Sequence, residues 1–170
     1  MTVLDELDAA LQRLKDRLAD DVLPPDAGGL EELVRLVPNL PPDVHRLYTS
    51  IGGTRPSSRL WPHVMPPSEA ASTVQAFRRL HDLDDAYARS IAPLGDGQNV
   101  LLLIYDDQSN YIGVHTIGAM VGQAFLLDHD EPDTTPKFKS LAAALDAMVD
   151  GIGDDELVDA TYIGGRGQRD

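Results

Sequence analysis

The chain has 170 residues, no cysteine and a net charge of −14 from 28 acidic and 14 basic side chains. That length suits one domain with a core of its own, which buries about 70% of the unfolded surface. The composition excludes disulfides and thiolate metal sites, and the acidity disfavours nucleic acid and anionic membranes as partners.

Asp5, Glu6 and Asp8 stand where a secretory signal would carry Lys or Arg before an apolar run. No stretch approaches the roughly 18–20 apolar residues of a membrane helix. The expectation is a soluble, cytoplasmic protein. Val3, Leu4, Leu7, Leu11, Leu14 and Leu18 recur at steps of three and four. This spacing predicts an amphipathic helix from about Thr2 to Asp20, with Thr2 as N-cap and Asp5 and Glu6 at the positive end of its dipole. Leu23 to Gly29 breaks the chain, and a short helix is expected over Leu30 to Val37. In the next segment, Leu40 to Gly53, Pro41 and Pro42 fit a first helical turn and Gly52-Gly53 a left-handed stop.

Thr54 to Pro67 reads as a loop with four prolines. A helix follows from about Ser68 through Val74, Phe77 and Leu80. Ile91 to Leu94 is a short strand that Pro93 pushes toward an edge, and Gly95-Asp96-Gly97 is a turn. Val100 to Tyr105 is apolar on both faces, which predicts an internal strand. Asp106 to Asn110 forms a hairpin loop. Tyr111 to Ile117 and Ala124 to Leu127 return as strands, and Ser140 to Val149 closes with a helix. The expected fold is therefore α+β. N-terminal helices precede a mainly antiparallel sheet of about four to six strands, and a C-terminal helix packs on it. The domain is taken as residues 1–163, with 164–170 an unanchored tail.

Three segments carry a resemblance. They are Leu40-Pro41-Pro42-Asp43 through Tyr48 to Gly52-Gly53; Pro93 to Gly97 with the strand ending at Asp106-Asp107; and Gln123 to Asp130 with the helix from Ser140. Their order, spread over about Leu30 to Val149, resembles the SUKH superfamily, which includes bacterial immunity proteins and a fungal cell-wall synthesis regulator. The family usually begins its last helix with Ser-Phe and a second aromatic one turn on, where Ser140-Leu141 and Ala144 stand here, and often carries a tryptophan in the helix before the strands, where the only one here, Trp61, lies in the loop. The resemblance implies a binding scaffold without catalytic residues, cofactor or metal.

Among the charged motifs, Asp128-His129-Asp130-Glu131 is the most suggestive of chemistry. Strand alternation sets His129 opposite Asp128 and Asp130, so a metal site would need ligands from elsewhere, such as Asp106, Asp107 or His115. No histidines pair at i, i+4, and no Gly-x-Ser-x-Gly elbow is present. Gly164-Gly165-Arg166-Gly167 lacks the Lys-Ser/Thr and the helix of a phosphate loop. Trp61, with Pro62, Met65, Pro66 and Pro67, reads either as a lid over the core or as a binding anchor.

The acids concentrate at the ends of the chain. Residues 1–40 hold 9 acids against 4 bases, 41–127 hold 8 against 6, and 128–170 hold 11 against 4. Solubility alone is one reading of this pattern, and recognition of a basic partner is the other. The sequence thus points to an immunity protein that occludes a basic toxin, such as a nuclease. The candidate partner-binding residues are Trp61, Asp106, Asp107, Tyr111, Asp128, Asp130 and Glu131. A regulatory adaptor of the same fold is the alternative, and an enzyme with a carboxylate–histidine site the distant one. Since the tail has no apolar residue to dock, deleting residues 164–170 should leave the melting temperature within error. A loss of several degrees in a thermal melt would place the tail in the fold.

Overall fold

The computed structural model describes residues 2–56, 62–81, 99–106, 110–128 and 133–151. The predicted strand at Ile91 to Leu94, the Gly95 to Gly97 turn and the C-terminal tail lie outside them. Five helices are described: α1 (Val3–Leu18), α2 (Ala27–Leu36), α3 (Pro42–Ser50), α4 (Pro67–His81) and α5 (Leu141–Asp150). The strands are β1 (His63–Val64), β2 (Val100–Tyr105), β3 (Tyr111–His115), β4 (Ala124–Leu127) and β5 (Pro136–Phe138). They form one antiparallel sheet in the order β1-β2-β3-β4-β5. The fold is α+β: three helices precede the sheet, α4 stands between β1 and β2, and α5 follows the last described strand.

α1 starts on a reciprocal cap. The Asp5 N–H donates to Thr2 Oγ1 at 3.2 Å, and the Thr2 N–H donates to Asp5 Oδ2 at 2.7 Å. Leu7, Ala10, Leu11, Leu14 and Leu18 are buried. Val3 and Leu4, which the periodicity assigns to the same face, are instead 57% and 41% exposed, because the first turn projects past the core. Two sets of ion pairs fix the register of α1. Arg46 Nε and Nη2 reach the Asp8 carboxylate at 2.8 and 2.9 Å, and Arg13 holds Asp146 and Asp150 at 2.6 Å each. All are about half exposed, so they orient more than they stabilise.

α2 begins three residues earlier than its apolar pattern suggests. Asp26 caps it, with Oδ1 accepting from the Gly29 N–H at 3.0 Å. The pair Gly28-Gly29 reads as a breaker, yet Gly29 lies where a Cβ would come within 2.9 Å of the Ser68 backbone nitrogen. Its absent side chain lets α2 approach the start of α4. The Gly52-Gly53 pair also differs from a simple helix stop. α3 ends at Ser50 with Ile51 extended, and only Gly53 is left-handed, at φ 101°. At Gly52 a Cβ would overlap the Pro24 carbonyl oxygen. The two segments bond there through Gly52 N–H to Leu23 O at 2.8 Å and Leu23 N–H to Gly53 O at 2.9 Å.

β1 falls inside the segment that reads as loop. Its two residues are bounded by prolines, so no alternation is visible, but His63 pairs with Tyr105 and Val64 with Ile104. β5 is likewise a strand that the sequence hides, since it opens on Pro136.

The sheet is buried on both sides. Leu101, Leu103, Ile104, Ile112, Val114 and Ala124 join the helices in the main core. Val100, Leu102, Phe125 and Leu127 gather with Met65 on the opposite side, with Phe77 of α4 against them. β2 carries an extra residue at Leu103, between the pairs Leu102↔Gly113 and Ile104↔Ile112. Such a bulge reverses the facing of every residue beyond it. Leu103 and Ile104 therefore both enter the main core, and Tyr105 turns to the second side.

Leu11 is 2% exposed and lies mid-stripe. Leu11→Ala should cost about 2–5 kcal/mol in chemical denaturation. A nearly neutral result would show that α1 is not docked on this core.

Candidate functional site

The bulge assembles a row of side chains across four strands. His63 pairs with Tyr105, Tyr105 with Tyr111, and Tyr111 with Leu127. Direct cross-strand partners share a face, so these four stand side by side. The His63 and Tyr105 rings meet edge to face at 3.8 Å between centroids and 70° between planes. Tyr105 and Tyr111 are 6.0 Å apart and tilted by 32°. His63 is fully buried, while both tyrosines are partly exposed.

The hairpin end that carries this row is locked by Asp106. Its Oδ1 accepts from the Asn110 N–H and its Oδ2 from Asn110 Nδ2, both at 3.0 Å, and its own N–H donates to Asn110 O at 3.1 Å. Asp106 is 1% exposed. It was a candidate for partner contact because two adjacent acids in a hairpin loop suggest surface charge, but its carboxylate faces inward and closes the loop. Tyr111 and Asp128 are partly exposed at the same end of the sheet, Asp128 directly after Leu127. Trp61, Asp107, Asp130 and Glu131 lie outside the described residues.

Burial tunes the groups around the row. The His63 imidazole is pushed down to about 4 by desolvation. The Tyr105 phenol is pushed up, first by burial and then by the charges of Glu69 and Tyr111. The Glu69 carboxyl, in the first turn of α4, is itself raised by burial. Tyr48 lies deeper, its hydroxyl donating to Met65 O at 3.0 Å, and burial raises its phenol strongly. Among the described residues, no three His, Asp or Glu side chains converge as a metal site.

Chemically, the row presents two partly exposed tyrosine rings on neighbouring strands. Tyrosines of this kind combine a large apolar contact with a hydrogen-bonding tip. His63 and Tyr105 are absent from the residues that sequence reasoning selects. His63 sits in the proline-rich stretch, and strict alternation along β2 would send Tyr105 to the main core.

The chain matches no protein-family model, and no curated protein matches it in sequence.

A histidine that stays neutral when folded makes stability pH-dependent. Unfolded His63 takes a proton near pH 6.5, and folded His63 only near 4. The His63 contribution to stability is therefore full above pH 6.5 and is lost as pH falls toward 4, by on the order of 3 kcal/mol. His63→Phe should flatten the change in unfolding free energy between pH 7 and pH 5 in urea melts. An unchanged slope would mean that His63 already shares its proton in the folded state.

Proposed function

We propose that this chain is a protein-binding module of the SUKH type, acting as a cytoplasmic immunity protein that occludes a basic toxin. The observation that carries this reading is the Tyr105–Tyr111 pair, partly exposed on a locked hairpin of a chain with charge −14. Tyrosine is among the residues enriched at the energetic centres of interfaces, because it is rigid, large and able to hydrogen bond. Acidic groups around such a centre speed encounter with a basic partner and disfavour acidic ones. In a nuclease-type toxin, those carboxylates would take the place of substrate phosphates. The resemblance of the Leu40 to Gly53 segment and of the later strand segments to the SUKH superfamily supplies the fold-level half of the reading.

The same features serve a regulatory adaptor with a non-toxin partner. A toxin gene beside this one favours immunity, and its absence favours the adaptor.

The chain should capture a basic protein from its native host. Association should slow markedly between low and physiological salt, where the screening length falls to about 8 Å, while dissociation changes less. Tyr111→Ala should speed dissociation. Asp107→Asn, Asp128→Asn, Asp130→Asn and Glu131→Gln together should slow association, and each set should leave the domain folded. Stopped-flow or surface-binding kinetics at two salt concentrations provide the check. An acidic partner, or rates indifferent to salt and to both sets, would defeat the reading.

A further inference from the structure

The first turn of α4 holds a carboxyl that the helix itself does not use. Glu69 is the third residue of α4, the position from which a Glu side chain ordinarily reaches back to the N–H of the capping residue. The residue before this helix is Pro66, which has no N–H to offer. Its carbonyl instead accepts from the Glu69 and Ala70 N–H groups, both at 3.0 Å. Among the described residues, no hydrogen bond or ion pair reaches the Glu69 carboxyl. It is half-buried, and desolvation raises it above the usual carboxylate range. A half-desolvated carboxyl without a partner costs stability, and a bound cation would offset that cost.

Glu69 opens a face of α4 that runs along the second side of the sheet. One turn on, Thr73 Oγ1 donates to Met65 Sδ at 3.9 Å. A further turn on, Phe77 packs on the cluster of Met65, Val100, Leu102, Phe125 and Leu127. Steps of four keep these three residues on one face of the helix. Tyr105 and Tyr111 pack against the same cluster, and they and Phe77 are all partly exposed. The charge of Glu69 reaches the Tyr105 phenol and raises it, and the Tyr111 ring lies 6.0 Å from that of Tyr105. A carboxyl without a partner and three aromatic rings therefore share one side of the sheet, at its partly exposed margin.

We propose that Glu69, with the faces of Tyr105 and Tyr111, receives an arginine side chain of the protein partner. Aromatic faces attract cations, and a guanidinium can lie flat on a ring while its in-plane N–H groups donate to a carboxylate. A lysine ammonium is a compact point charge and does both less well. An acidic or phosphorylated ligand would meet Glu69 and a net charge of −14. An apolar side chain would desolvate the carboxyl further and leave it without a partner. A metal ion is a poor occupant, since no three His, Asp or Glu side chains converge among the described residues. The inference rests on the reading of the chain as a module for a basic protein. It names the group of that protein which the tyrosine row takes, and adds Glu69 of α4 to the contact.

The test titrates the full chain with three end-blocked tripeptides, Gly-Arg-Gly, Gly-Lys-Gly and Gly-citrulline-Gly, and follows the tyrosine ring signals by NMR. Citrulline keeps the shape of arginine without its charge. The arginine peptide should shift the Tyr105 and Tyr111 rings saturably, with a Kd on the order of a few millimolar for a single side chain. The lysine peptide should bind more weakly, and the citrulline peptide should leave the rings unmoved. Glu69→Gln should weaken the arginine peptide about tenfold and Tyr111→Leu about threefold. Glu31→Gln, which removes an exposed charge from α2, should leave its affinity unchanged. Thermal melts check that the variants fold, and the comparison of peptides on the wild-type chain requires no variant. Four results would overturn the inference: no saturable shift, equal binding of the lysine or citrulline peptide, unchanged affinity in Glu69→Gln, or an equal loss in Glu31→Gln. If a captured basic partner responds to Tyr111→Ala but not to Glu69→Gln, the arginine site is excluded while the tyrosine row stands as an interface. If the arginine peptide binds as expected and no basic protein is captured, the site stands and the immunity reading falls.

Discussion

A sheet buried on both sides constrains everything else in this protein. β2 is apolar along nearly its whole length, with five of its six residues buried, so each side needs its own cover. On one side all five helices contribute to the core around Leu101, Leu103, Ile104, Ile112 and Val114, α4 through Ala70, Ala71 and Val74. On the other, Val100, Leu102, Phe125 and Leu127 stand side by side with Met65 among them, and Phe77 of α4 packs against them. The bulge at Leu103 lets one strand serve both sides, by adding a residue to the main core and sending Tyr105 to the second. The pairing of Tyr105 with His63 and Tyr111 follows from that single added residue.

Asp43 ties the helices around this sheet. Its Oδ1 accepts from the Val44 N–H at 2.9 Å, and the Leu141 N–H stands close enough to favour its ionised form. One carboxylate thus caps the first turn of α3 and faces that of α5, where unpaired N–H groups and helix dipoles favour an anion. The cost is desolvation, which raises the Asp43 carboxyl above the usual range despite those hydrogen bonds. Its folded form holds a proton more readily than the unfolded chain does. Ionisation as pH rises from acid to neutral therefore works against the fold, and the geometric link between the two helices is what the residue contributes in return.

Much of this architecture is legible in the amino-acid sequence. The leucine spacing gives α1, and the apolar run from Val100 to Tyr105 gives β2 with the same bounds. Alternation and turn residues give β3, β4 and α5 to within a few positions. What is hidden has particular causes. β1 lies between prolines and is too short to show a period. α2 starts in a pair of glycines, of which Gly29 serves close packing. Val3 and Leu4 continue a helical stripe past the point where the core ends. The candidate site is less legible still, because it depends on a bulge that no local pattern announces. Asp106 shows the opposite error: an acid in a hairpin loop reads as surface charge, yet Asn110 holds it inside.

The ends of the sheet limit how anything can attach to it. Beyond β1, the Thr54 N–H donates to Val64 O and the Val64 N–H to Thr54 Oγ1, both at 2.9 Å. The backbone groups of Val64 are thus already taken. At the far edge, β5 has only three residues, opens on Pro136, and carries Lys137 with Lys139 directly after it. A proline, a short run and lysines are the devices by which edge strands resist a further strand. Among the described strands, both edges therefore resist lengthening by an incoming chain, whether a partner's strand or a misfolded copy. Recognition is left to side chains, which can discriminate among partners more finely than a ladder of peptide bonds common to every protein.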